Sequence, residues 1–414
     1  MAIYLFEPKE LRSRFYPLTK TRAVAELLLG GLSVLQWWRM LLGEQVSLLT
    51  ADYLHPRTSL SAGDILIFSG WVPDSKWVDA VKNGTLLYAE YESEQPRQQL
   101  ISCTLTRSIE IEALMLWLEG RDTDMEQRLI QEVTRNEQPR LQVELATLLD
   151  APSKLLALQG DFIKQLAGRI NQNECPYFER ELQHNTEKTV KANLVLARGV
   201  MLEQAFLNTD NGPIVMGEGV LVMAGAMLRG PLYLGPRTVV KMGTRIYGPL
   251  VAEADCTLGG ELKNVVLHKG TNKAHDGYLG DSIIGAWCNF GAGSGGSNVK
   301  NTAGKVGLYD YSAKRYLKVG PKFGAVVGDY TRIGVGTQLT TGTSIGVCCN
   351  LFGLEMLPKL VTDFAWGSGT NWDVYQLEKA IAHIRAWMGF KAVQLSDREI
   401  QILNHIFEQT DHRS

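Results

Sequence analysis

Apolar residues recur every six positions across much of the second half of the chain. A short fixed period is typical of a solenoid, in which each repeat buries its apolar face only against its neighbours. Six residues per side suit a triangular β-helix, with one apolar residue pointing inward and a small residue at the corner. The recurring residues are Met216, Val222, Leu228, Leu234, Val240, Ile246, Ile284, Phe290, Val327, Ile333, Leu339 and Ile345.

One stretch inside this repeat, from Asn272 to Asn298, concentrates glycines and polar side chains. It reads NKAHDGYLGDSIIGAWCNFGAGSGGSN. The stretch resembles a signature of bifunctional UDP-N-acetylglucosamine pyrophosphorylase/glucosamine-1-phosphate acetyltransferases, K-x-x-H-x-x-Y-x-G-D, then N-x-G-A-G-T, then an asparagine. Here the lysine stands one place closer to the histidine, and Ser294 replaces the threonine. The resemblance covers roughly Val195 to Leu351.

The resemblance implies that the repeats form a left-handed parallel β-helix with an acetyl-transfer site. His275 would be the general base, because a neutral imidazole can remove the proton of an attacking amine. Asn289 would orient the amine or the carbonyl. Tyr278 would hydrogen-bond the sugar or the acetyl oxygen.

The resemblance also implies a sugar-phosphate site and a coenzyme site. Counting back from His275 without gaps places Arg245 and Lys263 at the positions that hold the phosphate, arginine as a bidentate fork and lysine as a point charge. Ala292 and Asn298 would contact the pantetheine arm of acetyl-CoA, since a small residue lets the arm lie against the backbone.

The start of the chain carries a second resemblance. Residues 2–6 predict a buried strand of an α/β domain, and Arg14 to Lys20 reads RFYPLTK. This segment resembles the R-L-Y-P-L-T-K portion of sugar-1-phosphate nucleotidyltransferases, including glucose-1-phosphate thymidylyltransferases. In those enzymes a glycine-rich loop before the arginine lets backbone N–H groups approach the phosphates. Residues 7–13, EPKELRS, contain no glycine, which argues against nucleotidyl transfer.

Hydrophobic spacing predicts the remaining elements. Between 298 and 322 the six-residue repeat is interrupted, which predicts an excursion from the solenoid. After 358 we expect the repeat to stop. Strands are predicted at 46–50 and 65–68, and helices at 34–42, 75–81, 109–118, 125–133, 141–149, 155–170, 372–388 and 397–407. The predicted domains are an α/β nucleotidyltransferase-like domain at 1–105, a helical linker at 106–183, a β-helix acyltransferase domain at 184–360 and a helical extension at 361–414.

Composition excludes several classes of function. The 42 Lys+Arg and 44 Asp+Glu residues nearly balance, so no charge excess suggests a nucleic-acid partner. The six cysteines show neither paired spacing nor a metal-ligand pattern, as expected for reduced thiols in a cytoplasmic protein. No signal peptide or membrane span is predicted, because charged residues interrupt every apolar run.

The resemblance to the bifunctional family implies an acetyl-CoA-dependent N-acetyltransferase for an amino-sugar phosphate such as glucosamine 1-phosphate, in nucleotide-sugar synthesis. We expect a homotrimer, because this family places the coenzyme between neighbouring prisms and the 298–322 excursion is long enough to reach one. Two alternatives stay open: a nucleotidyltransferase or bifunctional enzyme, which would need Mg²⁺ at the N-terminal domain, and a non-catalytic sugar-nucleotide-binding scaffold.

Overall fold

The chain forms two compact units. The computed structural model describes residues 1–43, 45–56, 58–91, 97–135, 139–144, 148–178, 193–353, 356–369 and 371–410. The first unit comprises Met1–Phe15, Arg22–Leu27 and Leu32–Ala151, and the second comprises Tyr16–Thr21, Leu28–Gly31 and Pro152–Ser414.

A six-stranded sheet organises the first unit. Its strands are β1 Ile3–Phe6, β2 Val46–Leu49, β3 Ile65–Phe68, β4 Leu86–Tyr91, β5 Arg97–Thr104 and β6 Arg140–Gln142. Their order in the sheet is β2-β1-β3-β5-β4-β6. The central strand β1 pairs in parallel with β2 and β3, and all of its residues are buried, as expected for a parallel strand covered on both sides.

The helix Val34–Leu42 of the first unit has a residue that caps each end. Ser33 accepts a hydrogen bond from the Gln36 amide at 3.1 Å at its start, and Gly43 follows its end in the left-handed conformation. The helices are α1 Lys9–Arg14, α2 Val34–Leu42, α3 Val78–Lys82, α4 Ile111–Leu118 and α5 Met125–Arg135, with 3₁₀ turns at Val24–Glu26 and Ser75–Trp77.

The predicted helix at 141–149 is wrong. Its first residues belong to β6, which pairs in parallel with β4. Residues 145–147 lie outside the described ranges. The apolar residues Leu141 and Val143 alternate, and an available sheet edge outweighs a weak helical spacing. Helices α4 and α5 and strand β6 therefore fall in the same compact unit as β1, within the part of the chain that the sequence assigns to a helical linker.

Three stacked sheets build the solenoid of the second unit, and we call them the first, second and third faces. The first face contains Met201–Leu202, Leu221–Val222, Val239–Val240, Thr257–Leu258, Asn272–Lys273, Asn289–Phe290, Arg332–Ile333, Asn350–Leu351, Ala365–Ser368 and Asn371–Val374. The second contains Leu194–Leu196, Ile214–Met216, Leu232–Leu234, Ala325–Val327, Thr343–Ile345 and Leu360–Val361. The third contains Phe206–Asn208, Met227–Arg229, Gly295–Gly296 and Gln338–Leu339.

Three long strands turn the corner between the third and second faces. They are Arg245–Ala252, Glu261–Leu267 and Tyr278–Ile284. They pair in parallel with one another, and a break in register between Tyr247 and Leu250 marks the bend in the first of them.

The inward residues of all three faces form one continuous apolar core. All twelve apolar residues of the six-residue repeat belong to this core, and each of them is at most 2% exposed. The sequence prediction of a solenoid is confirmed, and the arrangement fits a left-handed parallel β-helix that follows an α/β domain and precedes C-terminal helices.

The excursion from the solenoid is an ordered hairpin. Strands Val306–Asp310 and Arg315–Gly320 pair antiparallel, and an isolated bridge between Val299 and Lys322 closes the base. The expected end of the repeat after 358 is wrong, because Leu360–Val361 and Ala365–Ser368 continue the second and first faces.

Helices cover two of the three faces. Helix α6, Pro152–Asn171, packs along the second-face strands. Helices α7, Leu377–Gly389, and α8, Asp397–Gln409, pack on the first face, where the Arg332 guanidinium lies 4.9 Å from the centre of the Trp387 ring. The predicted helix at 372–388 is wrong at its start, because Asn371–Val374 pairs antiparallel with Ala365–Ser368. No helix within the described ranges is long and apolar enough to cross a membrane.

Candidate active site

The three long strands bring the predicted phosphate and sugar ligands together. Register places Arg245 beside Glu261 and Glu261 beside Tyr278, and the next outward row contains Tyr247, Lys263 and Gly280. Side chains alternate between the two sides of a strand. One buried residue of each strand separates the two rows, so both rows face outward. Arg245, Lys263 and Tyr278 therefore lie on one face across adjacent strands, about 4.8 Å apart per strand.

A carboxylate lies in the middle of this cluster. Glu261 accepts a hydrogen bond from the Tyr247 hydroxyl at 2.6 Å and lies 3.6 Å from the Arg245 Nε. The hydrogen bond to Glu261 is the main reason that the pKa of Tyr247 is raised. The Lys263 ammonium lies 5.9 Å from the centre of the Tyr247 ring. Sequence analysis missed Glu261 and Tyr247, although each stands two residues from a predicted ligand, the spacing that shares a strand face.

Tyr278 is held by neighbours that favour its protonated form. Burial, followed by the charge of Asp281, raises its pKa to about 12, and a hydrogen bond with Asn298 opposes this. Asn298 donates a hydrogen bond to the Asp281 carboxylate, as Asn264 does at 2.6 Å. The phenol of Tyr278 is therefore a hydrogen-bond donor rather than a base at neutral pH.

Gly280 makes room for the phenol of Tyr278. A Cβ atom at Gly280 would overlap the Tyr278 hydroxyl, so the phenol occupies the space that a side chain would need. Gly280, a glycine of the signature, is therefore required on the third face because any side chain would displace the Tyr278 phenol.

His275 lies at the corner that leads from the first face to Tyr278. Its corner, 274–277, has four residues, whereas the corner of the preceding coil contains only Gly259 and Gly260. A Cβ at Gly259 would overlap the Ala274 carbonyl, and a Cβ at Gly260 would lie 2.8 Å from the His275 carbonyl oxygen. His275 is exposed, and the backbone of its corner lies against the two glycines of the coil that carries Glu261 and Lys263.

The side chain that supports this corner from inside is a lysine. Lys273 occupies an inward position and is 0% exposed, and its ammonium donates to the His275 carbonyl oxygen at 2.6 Å. Burial lowers the pKa of Lys273 to about 8, with Asp276 opposing the shift. In the coils on either side the corresponding residues are Leu258 and Phe290.

A missing hydroxyl explains the lysine. In other coils a hydroxyl at the end of the corner bonds the corner carbonyl, as Thr244 does to Lys241 at 2.7 Å and Ser294 to Gly291 at 2.5 Å. The equivalent residue here is Gly277, whose φ of 126° favours glycine. A Cβ at Gly277 would lie only 3.4 Å from the Lys273 ammonium, so the lysine fills the place of the hydroxyl.

Two further predicted residues lie elsewhere on the prism. Asn289 is on the first face, paired with Asn272 and Arg332, so the structure does not bring it into the row of Arg245 and Tyr278. Ala292 is exposed at the corner next to that of His275, where the Gly293 amide donates to the Asp276 carbonyl at 3.1 Å. His275 and Ala292 are thus stacked along one edge.

The N-terminal segment replaces the glycine loop with a short helix and a buried acid. Helix α1 begins directly after Pro8, and Glu7 at the end of β1 is fully buried. The Glu7 carboxylate accepts hydrogen bonds from the Val24 amide at 2.5 Å and from the Thr50 hydroxyl, and burial raises its pKa to about 7. The end of β1 therefore carries a buried carboxyl group, which also lies 3.6 Å from the Arg12 guanidinium.

Lys20 of the RFYPLTK segment also has a partner. In the second unit its ammonium forms an ion pair with Asp363 and lies 5.2 Å from the centre of the Tyr16 ring. The neighbouring Thr21 hydroxyl donates to Asp329 at 2.7 Å. Arg14 of the same segment, in the first unit, pairs with Glu10 at 2.7 Å.

Comparisons with known proteins agree with both resemblances. Residues 3–165 match the family model for sugar nucleotidyl transferases. The first part of the chain is similar to sugar nucleotidyl transferases. The bifunctional protein GlmU of Methanococcus vannielii is 37% identical over 86 residues, 21% of this chain and 20% of that protein. A bifunctional sugar-1-phosphate nucleotidylyltransferase/acetyltransferase of Sulfurisphaera tokodaii is 30% identical over 92 residues, 22% of this chain and 23% of that protein.

The chain spans about a fifth of the length of the curated relatives it matches. A solved structure, the polySia-specific acetyltransferase NeuO, is 10% identical with a TM-score of 0.21, and the match covers 44% of this chain and 86% of that one. The resemblance to bifunctional nucleotidyltransferase/acetyltransferases that the sequence predicts is confirmed.

Proposed function

We propose that this protein is an acetyl-CoA-dependent N-acetyltransferase whose acceptor is a phosphorylated amino sugar similar to glucosamine 1-phosphate. The observation that supports this most is the grouping of Arg245, Lys263 and Tyr278 on adjacent strands, beside the corner that carries His275. Two cations and a phenol donor suit a sugar phosphate, and an exposed imidazole suits deprotonation of its amine.

Each residue has one task in the proposed reaction. Arg245 and Lys263 hold the phosphate, and Glu261 keeps the arginine fork in place. The amine nitrogen attacks the thioester carbonyl carbon while His275 accepts the amine proton, and the carbon–sulfur bond then breaks. The coenzyme leaves as a thiol after His275 returns the proton to sulfur. Tyr278 donates a hydrogen bond to the sugar or to the oxygen that gains charge. The predicted role of Asn289, to orient the amine or the carbonyl, is not assigned in this reaction, because Asn289 lies on the first face, which α7 and α8 cover.

The coenzyme and the assembly follow from the same corner. Ala292 leaves the edge beside His275 without a bulky side chain, so the pantetheine arm of acetyl-CoA would lie there. Asn298 would contact the same arm. We expect a homotrimer in the cytoplasm, in which a neighbouring prism completes the coenzyme site.

Nucleotidyl transfer is a second candidate, because residues 3–165 match that family. The buried Glu7 and the ion pair of Lys20 with Asp363 argue against it, since neither group is available to a nucleotide. A nucleotidyltransferase would also require Mg²⁺.

One assay distinguishes these functions. The purified full chain is given acetyl-CoA and a panel of amino-sugar phosphates, and release of free thiol is followed. Thiol release that depends on both substrates supports the proposal. Its absence across the panel, together with pyrophosphate release from UTP or dTTP and a sugar 1-phosphate, would favour the second candidate.

A further inference from the structure

The third face continues past Arg245 as an open groove of about 580 Å³. A volume of this size is typical of sites for nucleotide-sized or drug-sized ligands. The groove runs away from His275 over the strands Met227–Arg229 and Phe206–Asn208. The first pairs in parallel with the strand of Arg245, and the second pairs in parallel with the first. Its outward side chains are those of Phe206, Asn208, Met227, Arg229, Arg245, Tyr247 and Glu261.

A third cation lies along this groove. Register places Arg229 beside Tyr247, in the same outward row as Lys263. Arg245, in the neighbouring row, is therefore flanked diagonally by Arg229 on one side and by Lys263 on the other. The Arg229 guanidinium is oriented by a hydrogen bond of 3.2 Å to the Asn211 side-chain oxygen. One phosphate between Arg245 and Lys263 leaves a second position between Arg245 and Arg229 that suits another anion.

The far end of the groove is apolar and exposed. Met227, one strand beyond Arg245, is 52% exposed, and Phe206, two strands beyond it, is 66% exposed. An exposed aromatic ring next to a row of cations is typical of sites that stack a base and hold its phosphates. A sugar monophosphate has no group that would reach this end.

The length of the face agrees with this interpretation. Four strand spacings separate the coil of Tyr278 from that of Phe206, which is about 19 Å at about 4.8 Å per spacing. A sugar monophosphate between His275 and Arg245 would occupy about half of that length.

We propose that the acceptor is an amino sugar linked to a nucleoside diphosphate. The sugar amine lies at His275, one phosphate lies between Arg245 and Lys263, the other lies between Arg245 and Arg229, and the base stacks on Phe206. This inference rests on the proposed acetyltransferase function and narrows its substrate class.

Acceptor preference tests the inference directly. The full chain is assayed for thiol release with acetyl-CoA and either glucosamine 1-phosphate or UDP- and dTDP-linked amino sugars. We expect the nucleotide-linked acceptors to have a kcat/KM at least tenfold higher. Arg229→Ala should raise KM for the nucleotide-linked acceptor about 10–100-fold and Phe206→Ala about tenfold, with little change for glucosamine 1-phosphate.

Matched controls keep the outcomes separate. Arg198→Ala removes an exposed arginine that pairs with Glu218 at 2.7 Å, outside the groove, and should change neither KM. If glucosamine 1-phosphate is preferred and Arg229→Ala has no effect, this inference is wrong and the proposed function stands. If neither acceptor is acetylated, the proposed function fails as well. Calorimetry with UDP or dTDP alone gives a readout without catalysis: binding weakened by Arg229→Ala supports the groove, and no binding by the unaltered protein contradicts it.

Discussion

The ammonium of Lys273 lies 2.6 Å from the carbonyl oxygen of His275, inside an otherwise apolar core. A buried charge is costly unless it is hydrogen-bonded, so its presence at an inward position requires a compensating role. The bond ties the inside of the corner to the residue whose imidazole faces outward on the same corner. We therefore expect the position of His275 to depend on Lys273.

Lys273→Met should lower kcat about 10–100-fold while the protein stays folded. Methionine has a similar length, removes the buried charge and leaves the His275 corner without its donor, and a misplacement of about 1 Å is enough for such a loss. Leu258→Met changes the inward residue of the preceding coil and serves as the control. Circular dichroism together with thiol release checks the prediction, and equal kcat values for the two variants would contradict it.

The contribution of the same lysine to the stability of the protein should rise between about pH 8 and about pH 10.5. Burial lowers the folded-state pKa of Lys273 to about 8, against 10.5 for the unfolded chain. Within this window the unfolded state binds more protons than the folded state, so raising the pH favours folding. The buried cysteines, whose pKa values burial raises, act in the opposite direction. The test is therefore the free energy of unfolding of the unaltered protein minus that of Lys273→Met, measured in denaturant at several pH values, and this difference should rise across the window.

Local signals predicted much of the fold because they depend on near neighbours. The six-residue repeat predicted the inward positions, and hydrophobic spacing predicted the helices at 34–42 and 397–407, which the structure contains. The pairing of β6 and the strand at Asn371–Val374 depend on distant partners, which explains why helical spacing misled there.

The site was predicted less completely than the fold. Motif spacing predicted Arg245, Lys263 and Tyr278 as ligands, and the register of the coils places them on one face. It missed Glu261, whose role follows only from the register between coils, and it could not tell that Asn289 lies on another face. Lys273 also interrupts the apolar repeat, and its ammonium lies where Gly277 lacks the hydroxyl of other coils.

Gly280→Ala should impair the sugar site without unfolding the protein. The added methyl would overlap the Tyr278 hydroxyl, and the phenol can move outward because it is the far end of a side chain. The displaced donor should raise KM for the acceptor or lower kcat, about tenfold in kcat/KM, as for one lost hydrogen bond. Gly307→Ala, in the hairpin, where the nearest atoms to a new Cβ are 3.6 Å away or more, is the matched control. Equal steady-state kinetics for the two variants would rule out this role of Gly280.

The N-terminal domain should release little or no pyrophosphate from UTP or dTTP with a sugar 1-phosphate. Pro8 offers no N–H to a phosphate, and the carboxylate of Glu7 occupies the end of β1. Glu7→Gln should not restore this activity, because the glycine loop is still missing. Robust pyrophosphate release by the unaltered chain would prove the prediction wrong.

His275→Ala should lower kcat for thiol release about 10²–10⁴-fold with a modest change in KM, because a general base acts mainly in the transition state. Arg245→Ala and Lys263→Ala should instead raise KM for the acceptor, since both bind its phosphate before and during the reaction. His275→Gln is the conservative comparison, because it keeps a polar side chain at the exposed corner but cannot accept the proton. Steady-state kinetics separate the two patterns. If His275→Ala releases thiol at a nearly unchanged rate while the Arg245 and Lys263 variants lose activity, the imidazole is not the base and the phosphate site stands alone.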